Sequence, residues 1–144
     1  AGGCFGTVED MLRVLNLIVQ GGAWNGHVLL QPDALQEMLT VQYAAEIAAS
    51  VAAGNAPVHE HWGLGWLVRG NGDTCGSAHW FGFGDSKSPT LFGHAGVETV
   101  YGVGDPARQL AFVFIMTDRP KNAEESTRLR CEVSNLLQDA VICS

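Results

Sequence analysis

The sequence predicts an α+β fold, one antiparallel sheet with flanking helices. Three observations carry that expectation. Residues 1–57 hold apolar positions at helical spacing, and residues 62–117 hold short strand-like runs between glycine-rich turns. Residues 122–142 then return to helical spacing as a closing helix. There is no internal repeat, and 144 residues suit one domain over 1–144 with a real core.

The elements follow in order. Thr7-Val8-Glu9-Asp10 has the form of a capping box, the Thr7 hydroxyl and Asp10 carboxyl each meeting a free helix-start amide. Val8, Met11, Leu12, Leu15, Ile18 and Val19 then make one apolar face, and Gly21-Gly22 ends the helix. Asn25-Gly26 is a tight-turn signal before Val28-Leu29-Leu30. Pro32 suits the first turn of a second helix to about Thr40, with Leu35, Met38 and Leu39 inward. Alanine-rich residues 42–53 extend the helical region until Gly54-Asn55-Ala56-Pro57 breaks it.

The strands come next. Trp62, Leu64, Trp66 and Val68 alternate with Gly63, Gly65, Leu67 and Arg69, which predicts one continuous strand. A further strand is expected over 77–83. Residues 99–103 and 110–117 are two strands joined by Gly104-Asp105-Pro106-Ala107-Arg108, hence an antiparallel hairpin. Asn122 and Glu125 cap the closing helix, whose apolar stripe Leu129, Val133, Leu136 and Ala140 is expected to face the core.

Composition excludes several functions. A net charge of -7 with only eight Lys and Arg leaves no basic stripe to neutralise phosphates, so nucleic acid is not an expected partner. No apolar run reaches the roughly 18–20 residues of a membrane helix. Cys4, Cys75, Cys131 and Cys143 form no CxxC or paired spacing, which predicts free buried thiols, not a zinc site or disulfide scaffold. The chain opens on Ala1-Gly2-Gly3 without an initiator Met or signal-peptide pattern and reads as a piece of something longer. No signal marks a compartment.

The chemistry centres on Phe92-Gly93-His94-Ala95-Gly96-Val97. An ionisable ring lies between two glycines, where a ligand can approach the strand closely. A lone strand histidine is more often structural; the paired glycines favour a ligand-lining role for Gly93, Ala95 and Gly96. The amide after Gly96, that of Val97, would then point at a substrate oxygen. The competing constellation is His59-Glu60-His61 with His79, whose i, i+2 histidines share a strand face. No further ligand stands at diagnostic spacing, so neither metal nor cofactor is expected. Trp24, Trp62, Trp66 and Trp80 read as core or pocket wall in so acidic a chain.

Four segments resemble the β-lactamase-like serine hydrolases, the superfamily of class C β-lactamases, DD-peptidases and related esterases. Ala1–Met11 resembles their "aGGlfsTaeDla" segment, and Gly63-Leu64-Gly65-Trp66 their "GLGW" element. Phe92-Gly93-His94-Ala95-Gly96 is similar to their "HxG" form of the third motif, where other members carry Lys-Thr-Gly. Asp105-Pro106 with Leu110-Ala111-Phe112-Val113-Phe114 resembles their "DP" hairpin. The resemblance spans essentially the whole chain, in order, and implies part of a β-lactamase/transpeptidase-like fold.

It also implies a division of labour. In such enzymes a serine of a Ser-x-x-Lys motif attacks a carbonyl, and a Tyr-x-Asn or Tyr-x-Ser tyrosine is the second base. The third-motif strand lines the substrate, and the amide after its glycine is half of an oxyanion hole. His94 thereby takes the first position of the motif and the Val97 N–H that of the oxyanion donor. None of Ser50, Ser77, Ser86, Ser88, Ser126 and Ser134 has Lys three residues on, and neither Tyr43 nor Tyr101 begins Tyr-x-Asn. Both motifs belong upstream in the family's order.

The expected function follows. The chain reads as the C-terminal portion of such a hydrolase, silent alone, acting on an ester, amide or peptide if completed by the N-terminal half. The alternative is a stand-alone binding or association module. A half-sheet exposes an unpaired edge, which predicts a homodimer or strand-exchanged oligomer.

Overall fold

The structure, a computed structural model, describes residues 5–55, 61–71, 82–86, 88–96 and 99–141. Its α+β architecture is the expected one. Helix α1 (Val8–Val19) begins at the capping box: the Thr7 side chain accepts from the Asp10 amide at 3.2 Å, and the Asp10 carboxyl accepts from the Thr7 amide at 3.0 Å. Those bonds, with help from Arg13, hold the Asp10 carboxyl below the ordinary aspartate range. A two-residue hairpin follows, β1 (Ala23–Trp24) against β2 (His27–Val28). Asn25 and Gly26 turn it with φ of 50° and 79°. Helices α2 (Pro32–Met38) and α3 (Ala44–Ala52) complete the helical part, and Leu35 and Ile47 are buried.

The main sheet has the order β3-β4-β5-β6, antiparallel throughout. It comprises β3 (Leu67–Val68), β4 (Phe92–Ala95), β5 (Val100–Asp105) and β6 (Leu110–Ile115). Strand alternation sorts its side chains into two cores. Val68 and Phe92 pack under Leu15, Ile18 and Val19 of α1, while Leu67, Leu91, Tyr101, Val103 and Phe112 pack with Phe83 on the other face. Each such buried side chain contributes about 1.5–3 kcal/mol. At the β5–β6 turn the fully buried Asp105 accepts from the hydroxyls of Ser88 (2.9 Å) and Thr90 (2.6 Å), tying the approach to β4 to the hairpin.

Two expectations are corrected. Residues 62–68 are not one strand but a small hairpin. Gly63 N donates to Trp66 O at 2.8 Å, Val68 N donates to His61 O, and Gly65 turns the chain with φ of 81°. Alternation suggested a strand, but the turn needs glycine there.

The last helix, α4 (Ala123–Asp139), starts as expected with Asn122 accepting from the Glu125 amide. Its buried residues, however, are Ser126, Arg130, Ser134 and Gln138, while Leu136 and Ala140 are exposed. The cause is the 82–86 loop beneath it. Gln138 Nε2 donates to Phe83 O at 3.1 Å, and the Asp85 amide to Asn135 Oδ1 at 2.8 Å. Loop carbonyls and amides need polar partners, and the helix turns its polar stripe to supply them. The strand expected over 77–83 lies mostly outside the described residues.

Candidate functional site

The site grows from the pairing of β4. Gly96 N donates to Val100 O at 2.8 Å and His94 lies opposite Gly102, so Phe92, His94 and Gly96 direct their backbone groups toward β5. Gly93 and Ala95 direct theirs toward the β3 side. The β3–β4 ladder covers only Leu67↔Gly93 and Val68↔Phe92. Ala95 therefore faces an unpaired strand end among the described residues.

The two glycines differ in purpose. A Cβ on Gly93 would stand 2.6 Å from Gly102 O and 3.1 Å from the Phe83 ring, so this buried glycine serves packing. At Gly96 the nearest atom to such a carbon would be Val100 Cβ at 3.5 Å, and the residue is exposed. Of the pair, only Gly96 leaves room for a ligand. The expectation that Gly93 opens space on the near side of His94 is corrected accordingly.

His94 itself is exposed. Its ring lies 5.6 Å from that of Trp62, tilted by 50°, and borders a cavity of about 350 Å³ between α1 and the sheet. Met11, Leu15, Trp66, Val100 and the backbone of Gly96 and Gly102 form other walls. His94 is the ionisable group among the described residues that line it, and no serine, lysine or tyrosine joins it there. Trp66 is held by an edge-on contact with Phe92, ring centroids 5.3 Å apart. Val97, the expected oxyanion donor, lies outside the described residues.

The remaining candidates are placed elsewhere. Tyr101 is buried, donates its hydroxyl to Gly82 O, and burial pushes its phenol far above the ordinary range. It cannot serve as a base. Ser126 and Ser134 are buried in the α4 contact, and Ser88 is committed to Asp105. His61 is buried with Nδ1 3.1 Å from Arg69 O. His59, Glu60 and His79, the other members of the metal constellation, lie outside the described residues. The largest cavity, about 1050 Å³, sits at the far end of the sheet, among apolar side chains of α1–α3 with Thr90 and His61. Its size exceeds that of the His94 cavity, but it brings no nucleophile and base together.

The Beta-lactamase family model matches residues 1–133. The chain belongs to that family. Three solved structures share the fold of this beta-lactamase-family chain. A penicillin-binding protein homologue from Caulobacter crescentus is 17% identical over 86% of the chain, with a TM-score of 0.55. A family VIII carboxylesterase is 17% identical over 88%, with a TM-score of 0.53. A candidate beta-lactamase of Bacteroides dorei DSM 17855 is 14% identical over 92%, with a TM-score of 0.56. The chain spans only 30%, 30% and 40% of their respective lengths. No curated protein matches the sequence.

Proposed function

We propose that the chain is the C-terminal portion of a β-lactamase-like serine hydrolase and supplies the passive wall of its acyl-transfer site. One observation carries this reading: the His94–Gly96 strand end borders an apolar cavity that no described serine, lysine or tyrosine enters. The wall is present and the engine is not.

The chemistry is then shared between two portions. A serine of the complementary portion attacks the carbonyl carbon of an ester, amide or peptide, and the carbonyl oxygen becomes an oxyanion. The Val97 N–H accepts that charge by donating to it, as the amide after Gly96. The tetrahedral species collapses, expelling alcohol or amine, and water then cleaves the acyl-serine. Ala95 offers its backbone to an extended substrate, Gly96 leaves the approach open, and the His94 ring closes one side. Gly93 sets the strand against the Phe83 ring beneath. A histidine where relatives carry lysine supplies no fixed cation for a β-lactam carboxylate, which favours esters or peptides.

The test is complementation. Residues encoded upstream of Ala1, supplied by fusion or in trans, should give hydrolysis of p-nitrophenyl esters with slower turnover of nitrocefin. Loss of both activities in a soluble, folded complex would refute the catalytic reading. A second reading, a stand-alone association module, is favoured by the open edge of β6.

A further inference from the structure

We propose that a second copy of this chain docks on the β6 edge and the adjoining flank of α4, continuing the sheet across a two-fold axis normal to it. The inference deepens the association reading and is independent of the hydrolase one. Met116 N donates to Thr99 O at 2.8 Å, so the even-numbered residues of β6 bond to β5. Alternation then leaves Ala111, Val113 and Ile115 with their N–H and C=O groups pointing away from the sheet. Among the described residues no strand lies beyond β6. Its sequence, Leu-Ala-Phe-Val-Phe-Ile, has no charge and no proline, and it pairs with β5 residue for residue without a bulge. None of the usual devices that block edge pairing is present.

The helix above extends the same surface. One flank of α4, bearing Cys131 and Asn135, abuts the 82–86 loop, where a Cβ on Gly84 would meet Asn135 Oδ1 at 2.0 Å and Cys131 O at 3.2 Å. That loop lies on the β4 side, since the Phe83 ring reaches Gly93. The opposite flank therefore overhangs the β6 side, and it carries Leu129, Val133, Leu136 and Ala140. Leu136 is 71% exposed. Below it, Leu110, Phe112 and Phe114 belong to the same face of β6. The result is an open strand edge under an uncovered apolar helix flank.

A copy of the chain fits both at once. With the axis at Val113, Val113 opposes its own copy and Ala111 opposes Ile115, so every outward amide meets an outward carbonyl. The pairing joins residues of equal parity, so the faces are preserved and the two α4 flanks meet on one side of the extended sheet. Neither β6 nor the flank brings a charge into the contact. Arg128 and Glu132, at the outer edge of the helix, pair with each other at 2.7 Å. The net charge of -7 opposes association from a distance, so added salt should tighten the dimer.

Sedimentation equilibrium of the 144-residue chain between about 5 and 200 µM tests this, with Val113→Pro and Leu136→Glu as variants and circular dichroism as the folding control. The Val113 N–H points outward, so proline removes no bond to β5. The expected result is a dimer that each variant weakens at least about tenfold and that salt strengthens. A wild-type chain monomeric at the highest concentration overturns the proposal, as does a dimer that neither variant affects. Hydrogen exchange of the wild-type chain decides independently of the variants. Amides of Ala111, Val113 and Ile115 should become protected as concentration rises. Protection at every dilution would mean that another part of the molecule already covers the edge, and would also overturn the dimer.

Discussion

At His94 the deciding facts are exposure and neighbours. An exposed ring touching Trp62 contributes little to folding, so His94→Ala should change the unfolding free energy by no more than about 0.5 kcal/mol in urea titrations. In a complemented enzyme the same change should lower kcat/KM by about tenfold or less, chiefly through KM, because a wall contact is lost. A general base in that position would cost 10²–10⁴-fold in kcat, roughly. The glycines beside it give a second contrast. Gly93→Ala places a carbon 2.6 Å from Gly102 O and should destabilise by about 1–3 kcal/mol. Gly96→Ala meets nothing closer than 3.5 Å and should fold normally while impairing substrate binding in the complemented enzyme. The sequence showed both glycines as equals, because spacing carries no information on which one lies under a Phe83 ring delivered from ten residues away.

At the scale of elements, local signals were legible and facing was not. The Thr7–Asp10 capping box, the Asn25-Gly26 hairpin, Pro32 at a helix start and the Asn122 cap all depend on neighbours a few residues off, and all stand as expected. Asp10 makes the first of these testable by pH. Its folded carboxyl is held below the ordinary value, so the cap's stabilisation is complete above that value and lost as pH falls through the folded one. The stability difference between wild type and Asp10→Asn should be constant near neutrality and shrink toward about pH 2 in urea melts. Helix α4 is the opposite case. Its apolar stripe pointed to one facing, but loop 82–86 demands polar partners and imposes another. Ser134→Leu, at a fully buried position, should therefore cost about 1–3 kcal/mol of unfolding free energy, whereas Leu136→Glu should be nearly neutral in the monomer. The reverse order would restore the facing that periodicity alone suggested.

For the whole molecule, the fold class and the family were readable because four short motifs stand in register along the chain, and the family match and the three shared folds agree with them. What a sequence cannot display is which surfaces a larger assembly covers. The chain has one wall of a site at the His94 end and an uncovered strand and helix flank at β6, and these make separate demands. The first calls for a nucleophile and the second for a partner surface. The most direct measurement of the central claim is turnover of p-nitrophenyl esters by the purified 144-residue chain, alone and then completed by its upstream residues. The account predicts no turnover alone and an acyl-enzyme burst once completed. Turnover by the chain alone that survives His94→Ala and disappears when one of its own serines is replaced would contradict it.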